Sequence, residues 1–537
     1  MKNDYVLAMY DVRGKQQFIY RSEHLKEIIG GSAIIRDVFD DYLYDAAKEV
    51  RNKLFEAISG EAIYRYEASG TEQIEKFSFM SFEQRMQSNQ YIGEVVYNGG
   101  GNFFILYKSG QICREVTASF TRKVLQNIGT LKVICTYISD IHPDNYKEDV
   151  KRLYQQHRYT ENQEAPTAPY GTLPIVQTDY LTSMPLTNYY RTVGSKSRTA
   201  VTKEAFAKYR KYDEIREREQ CRPVDQRTIP DEKILDNLVT QKGEESLLAV
   251  IYIDGNNMGA KVAEYNKNRK TYEECINSLR RFSSEIQRTF IDDRKPDIDA
   301  AIRIYSDKSD KEGVFRLIVG SGDEITIITN ARAALQVAKA YLEALPSDMS
   351  SCAGISIFHS HTPFAEAYRI AEECCENGKQ YMKKRAAEEL DPASCAAWQN
   401  ACMLDYHYNQ GVIGVSLEDI RVAEETADLA IPWIINGAKA DSLDITYEDV
   451  LQMKKILFLF GRSNVKGLLQ AARESRGALT MEVHRIHAHM DQRKADAMKE
   501  YRAFLYDGDN ISTKARNLMI RMIPVYDIWF GKETCNE

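Results

Sequence analysis

The sequence predicts an α+β protein built on an internal duplication, with a smaller segment between the repeats and helices towards the C-terminus. Three observations carry that reading. Apolar runs ending in aspartate recur at residues 4–14 and 247–254, and glycine-centred hairpins recur at 91–107 and 315–329. Helices of amphipathic spacing and a closing strand follow each hairpin in the same order. Chance rarely repeats a whole layout, so the order says more than any single motif.

The first repeat opens with a strand ending at Asp11 and a helix from Lys15. A Gly30-Gly31-Ser32 step precedes a helix over 34–50, whose Ile35, Val38, Phe39 and Tyr42 have helical spacing. Strands at 91–98 and 102–107 flank Gly99-Gly100-Gly101, then a helix spans 116–128 and a strand 131–138. From 140 to 245 the composition shifts. Residues 161–174 read as a polar, Pro-bearing linker, and 186–222 interleave Tyr189, Tyr190, Tyr209 and Tyr212 with Arg191, Lys208, Arg210 and Lys211. That mixture suits phosphates and stacked bases, and equally a solvated helical face with tyrosines packed beneath it. The second repeat runs from a strand at 247–253 through a helix over 260–290, the 315–329 hairpin, a helix over 332–345, a strand at 352–359 and a long helix from Phe364. Beyond 393 the pattern reads as helical, with segments near 417–437, 446–460, 462–475, 478–505 and 512–523. The domains expected are 1–140, 141–245, 246–392 and 393–537.

Composition narrows the function. With 537 residues, 43% apolar and 28% charged, the chain resembles an ordinary globular protein of about three to four domains. No apolar run is long enough to span a bilayer and no signal peptide opens the chain, so a cytoplasmic location is expected. The ten cysteines include no CxxC, which argues for reduced thiols. A net charge of −7 gives no global attraction to nucleic acid. His484, His487 and His489 cluster without an acidic partner at metal spacing, so no zinc site is expected there.

The chemistry concentrates in the second repeat. Gly320-Ser321-Gly322-Asp323-Glu324 reads as a tight turn that displays two adjacent carboxylates. Paired acids at such a tip suit a hard divalent cation, although Gly, Ser and Asp are also plain turn residues. Asp254 ends a strand that can lie beside this hairpin, and three carboxylates brought together would serve metal-assisted phosphoryl transfer. Asp254, Asp323 and Glu324 are therefore the expected catalytic and metal-binding residues. Backbone N–H groups of Gly255, Asn256, Asn257, Met258 and Gly259 could cradle a triphosphate beside Ser321 and Gly322. Lys379 either reaches a phosphate or is a surface lysine. In the first repeat Gly99-Gly100-Gly101-Asn102 carries no acids, so that repeat is expected to be non-catalytic, with Gly100 and Asn102 at most lining a nucleotide cleft.

These motifs resemble a known family. The run Tyr10-Asp11-Val12-Arg13-Gly14, with Leu25 to Ser32, is similar to the first palm domain of the large polymerase-cyclase subunit of type III CRISPR effector complexes (Cmr/Csm). Asp254-Gly255-Asn256-Asn257-Met258-Gly259 and Ser321-Gly322-Asp323-Glu324 resemble the metal-binding strand and GGDD signature of its second palm, and Ala353-Gly354-Ile355-Ser356-Ile357 also fits. The resemblance covers roughly 1–140 and 246–390. It implies two ferredoxin-like palm domains of the GGDEF/polymerase type, a nucleotidyltransferase activity with Mg²⁺ or Mn²⁺, and ATP as substrate. The implied product is a cyclic oligoadenylate or an ATP conjugate with S-adenosylmethionine, made when target RNA binds. Implied partners are the other effector subunits, with guide and target RNA held largely through them, and no membrane. A scaffold with a weak or silent palm is the competing expectation.

Four departures stand out. SGDE replaces GGDD, and Asn256 stands where a second aspartate is common. No HD nuclease motif precedes the first palm, so DNA cleavage by this subunit is not expected. No cysteine-rich zinc module lies between the palms.

Overall fold

The computed structural model describes residues 4–530 apart from 23, 56–57, 67–73, 100–101, 163–174, 192–196, 221–245, 304–314, 425–429, 439–440 and 442. The chain divides into two compact units. One comprises Met1–Thr228, Met258–Ile291 and Ile318–Asp323; the other comprises Ile229–Asn257, Asp292–Leu317 and Glu324–Glu537.

The first unit is built on strands β1 (Val6–Arg13), β2 (Ile63–Tyr64), β3 (Gly93–Gly99), β4 (Asn102–Tyr107) and β5 (Lys132–Ile138), in the order β2-β3-β4-β1-β5. Strand alternation explains why β1 reads as one unbroken apolar run. Val6, Ala8, Tyr10 and Val12 enter one core cluster, with Phe39, Phe103 and Phe120, while Leu7 and Met9 enter another, with Phe77, Phe82, Phe104 and Tyr272. A strand buried on both faces has no polar side to show.

One expectation is corrected here. The Gly30-Gly31 step does not interrupt a helix; it lies inside the Leu25–Val38 helix. A Cβ on Gly30 would stand 2.0 Å from the Lys208 carbonyl oxygen, so the glycines let the Lys203–Gln220 helix press against this one. Residues 246–392 are divided between the two units. The Tyr272–Gln287 helix sends Tyr272, Cys275, Ile276 and Leu279 into the second core of the first unit. Its apolar stripe fits that sheet face, which chain order could not reveal.

Between the repeats, β6 (Leu186–Tyr190) and β7 (Thr199–Thr202) form a two-stranded sheet. Tyr190 stacks on Tyr209 at 4.4 Å. Lys208 is fully buried and donates to the Phe18 carbonyl at 2.5 Å and to Glu204 at 2.7 Å. Lys211 reaches Asp41 at 2.6 Å. These two lysines are engaged inside the fold, which supports the packed-face reading of 186–222 over phosphate contact at those positions.

The larger sheet carries β8 (Leu247–Gly255), β9 (Phe315–Ser321), β10 (Glu324–Asn330), β11 (Ser351–His359), β12 (Cys402–Tyr408), β13 (Trp433–Asn436) and β14 (Ile445–Thr446). The sheet order is β14-β13-β12-β11-β8-β10-β9. The sub-order β9-β10-β8-β11 repeats β3-β4-β1-β5, and in both repeats the first strand is antiparallel to its two neighbours. The duplication read from the chain is thus present in strand connectivity.

The expectation of helical segments alone beyond 393 is corrected. β12 pairs in parallel with β11 and extends the sheet, with β13 and β14 beyond it. The charged residue that obscured β12 is Asp405, which is fully buried. It is held by Arg421 at 2.9 Å, Arg521 at 2.6 Å and the Asn377 amide at 2.7 Å. A carboxylate so paired can occupy a sheet centre, although its residue type reads as surface.

Candidate functional site

The candidate site begins with the register of β8 and β10. Ile325 pairs with Ile253 and Thr326 with Tyr252, so one further antiparallel step sets Glu324 across from Asp254. Directly opposed residues have Cβ atoms about 4.5–5.5 Å apart, and like charges there repel. Tyr252, two residues before Asp254 and on the same face, records both charges. Its phenol is pushed far above the ordinary tyrosine value by burial first, then by Glu324 and Asp254.

Lys379 meets this charge. Its Nζ donates to Asp254 Oδ2 at 2.6 Å and to the Gly255 carbonyl at 3.1 Å, with the lysine side chain 14% and the aspartate 31% exposed. Burial works against the ammonium, but Asp254 outweighs it and the lysine pKa lies above its ordinary value. Lys379 is in reach because the Phe364–Glu388 helix lies hard against the sheet. A Cβ on Gly354 of β11 would stand 1.9 Å from the Ala371 carbonyl oxygen and 2.5 Å from the Cys375 nitrogen. Glycine is the residue that permits this approach. In this geometry Lys379 is the countercharge of Asp254.

The hairpin tip turns as expected. Gly322 has φ +67°, the left-handed region that glycine enters without strain, and a Cβ there would meet nothing within 4 Å. Asp323 follows it. Within the first unit, the Tyr97 phenol is pushed up to about 12 by burial, then by Tyr154, Tyr66 and Asp323. Asp323 lies in the Gly322-Asp323 turn, and Glu324 opens β10. Among the described residues no three acids, histidines or cysteines are grouped to hold a metal. Asp254 and Glu324 form an opposed pair, with Asp323 at the turn. That donor set still fits Mg²⁺, which takes one or two protein carboxylates and completes its shell with water and phosphate oxygens.

The 255–259 segment fits its expected role only in part. The Asn256 N–H is spent on the Ser350 carbonyl at 2.9 Å, and the side chain is 1% exposed. Its amide donates to Ser350 Oγ at 3.2 Å and the Ala401 carbonyl at 3.0 Å, so Asn256 anchors the end of β8 rather than facing a nucleotide. Asn257 has φ +56° and donates to the Gln399 carbonyl at 2.9 Å. Met258 starts the helix Met258–Tyr265, and a Cβ on Gly259 would meet open space.

The first repeat shows what replaced the acids. Asp11 faces Asn102 across β1 and β4, the counterpart of Asp254 facing Glu324. Arg13 Nε lies 2.9 Å from Asp11 Oδ2, and its other end pairs with Glu161. His157 Nε2 is 3.4 Å from the same carboxylate, and its Nδ1 bonds Thr136 Oγ1 at 3.0 Å. The guanidinium takes up the charge a cation would otherwise meet, and the imidazole lies against the same carboxylate. Gly100 lies outside the described residues. Sequence reading missed Arg13, His157 and Tyr252. Arg13 and Tyr252 were legible, because each stands two residues from an aspartate on the same strand face; His157 comes from a distant helix and was not.

No family model and no curated protein matches the chain. Solved structures do. The chain is similar to Csm1. A Csm1–Csm4 cassette in complex with AMPPNP matches with TM-score 0.42 and 15% identity, covering 74% of this chain and 57% of that one. The cassette in complex with cA4 matches with TM-score 0.40 and 14% identity, covering 71% and 53%. Csm1 in T.onnurineus matches with TM-score 0.38 and 15% identity, covering 70% and 51%. The chain thus spans about half the length of the Csm1 chains it matches. No helix among the described residues is long and apolar enough to cross a membrane.

Proposed function

We propose that this chain is a nucleotidyltransferase subunit of a type III CRISPR effector complex, joining ATP into a signalling nucleotide when target RNA binds. The observation that carries the reading is the opposed Asp254–Glu324 pair at neighbouring strand ends, with Lys379 against Asp254. The motif resemblance of both repeats supports it. Asp254 and Glu324 would hold Mg²⁺ or Mn²⁺, with Asp323 at the adjoining turn. Such an ion supplies positive charge to triphosphate oxygens and acidifies an attacking hydroxyl. The open space beside Gly259 and Gly322 leaves room for a substrate to approach the backbone. Glu324 keeps the charge of the more usual aspartate with one methylene more reach. The first repeat, with Asp11 neutralised by Arg13, is non-catalytic. S-adenosylmethionine is a candidate co-substrate, and the partners are the other effector subunits with their guide and target RNA.

One observation favours a second reading, a scaffold with a silent palm: Asp254 is already paired with a lysine. Mass spectrometry separates the two. The protein or its assembled complex is incubated with ATP and Mg²⁺ or Mn²⁺, with and without S-adenosylmethionine and target RNA. The enzyme reading expects a ligated product and pyrophosphate, both lost in an Asp323→Ala/Glu324→Ala variant. The same product profile from wild type and variant, or no product under any condition, refutes it.

A further inference from the structure

A basic cavity lies within the first unit. The turn between the Met258–Tyr265 and Tyr272–Gln287 helices, with one face of the second helix, borders a cavity of about 280 Å³. Lys76, Arg269 and Arg281 converge on it, and Glu274 is the one acid in its lining. Among the described residues, none of these three cations is engaged in a side-chain ion pair or hydrogen bond. Glu274, by contrast, is occupied. Its carboxylate accepts the Lys270 N–H at 3.0 Å and the Thr271 N–H at 3.3 Å, closing the capping box that starts the helix.

Two further features suggest a ligand rather than a solvated basic patch. Ser278 lines the cavity and is 5% exposed, yet its hydroxyl has no hydrogen-bond partner among the described residues. A buried hydroxyl left unpaired is costly unless something else completes it. The walls are also pinned. Asn277 is locked to Phe77 by a reciprocal pair of bonds at 2.7 and 3.0 Å. Tyr265 is held by Glu285 at 2.9 Å and rests on Phe282, while the residue remains 37% exposed. Convergent cations, an unpaired hydroxyl and an accessible aromatic ring are the groups that recognise a phosphate with a base attached. The volume is near the lower end of small-molecule sites and suits one nucleotide.

We propose that this pocket binds a nucleotide phosphate, held by Lys76, Arg269 and Arg281, with its base against Tyr265. The phosphate belongs either to a free nucleotide or to one unit of a single-stranded RNA, and the test distinguishes them. It uses the full chain carrying Asp254→Asn/Glu324→Gln, which removes the hairpin's contribution. Calorimetry with ATP forms one arm, and fluorescence anisotropy with a labelled short oligoadenylate forms the other. Adding Arg269→Ala/Arg281→Ala is expected to weaken binding about tenfold or more in one arm, which names the source. If RNA is the ligand, the log–log salt slope falls by about two. Ser278→Ala, which removes no charge, is expected to weaken the same arm and guards against a general charge effect. Circular dichroism confirms that each variant folds. Absence of binding in both arms, or binding that survives the double substitution, overturns the proposal. The result is independent of the nucleotidyltransferase reading, because product formation by a chain altered only at Arg269 and Arg281 is measured separately.

Discussion

Replacing Lys379 with methionine tests the electrostatics of the hairpin site directly. The methionine keeps most of the side-chain volume but removes the ammonium that sits 2.6 Å from Asp254. Asp254 and Glu324 then face each other across neighbouring strands without a countercharge. Two carboxylates about 5 Å apart repel by roughly 3 kcal/mol at an effective dielectric of about 20. Asp254 is 31% exposed, so solvent reduces the net loss to about 1–2 kcal/mol. The lysine pKa is raised above 10.5, so its contribution is complete at neutral pH and fades only as pH rises through the folded-state value. Urea unfolding at pH 7 without divalent ions is expected to show the variant less stable by that amount. Millimolar Mg²⁺ is expected to recover part of the deficit, because a bound cation replaces the missing charge. Equal stability of variant and parent without Mg²⁺ would show that the two acids do not repel. An identical deficit with and without Mg²⁺ would show that the pair does not take up the ion.

Other predictions follow from packing and burial. His407 on β12 has its pKa lowered from 6.5 to about 4 by burial first, then by Arg421 and Arg521. Its neutral form is the folded one, so stability present above pH 6.5 is lost as pH falls towards 4, by up to about 3 kcal/mol; His407→Phe is expected to flatten this part of the pH–stability curve. Gly354→Ala would drive a methyl group into the Ala371 carbonyl and is expected to cost 3 kcal/mol or more, roughly the upper range for overpacking, read as a lower thermal midpoint. Asp405→Ala leaves Arg421 and Arg521 buried around an empty position and is expected to cost about 3–5 kcal/mol, measured by denaturant unfolding.

Much of this protein is legible in its residue order, and the reason is locality. Apolar alternation, glycine turns and capping residues act over a few positions, so the 315–329 hairpin, the strand ending at Asp254 and the repetition of both in the first half could be read directly. The pairing of β10 with β8, which sets Glu324 opposite Asp254, follows once those strands share a sheet. What lay beyond reach depends on partners far apart in the chain. Asp405 reads as a surface residue until Arg421 and Arg521 converge on it, and only that burial lets β12 extend the sheet. Gly30 reads as a break until the Lys208 backbone is found against it. The Tyr272–Gln287 helix belongs by sequence to the second repeat and by packing to the first unit. The hairpin acids show the same division. Their presence is written in five consecutive residues, but the opposition of Glu324 to Asp254 and the contact of Lys379 with Asp254 follow from strand pairing and from a helix brought close by Gly354.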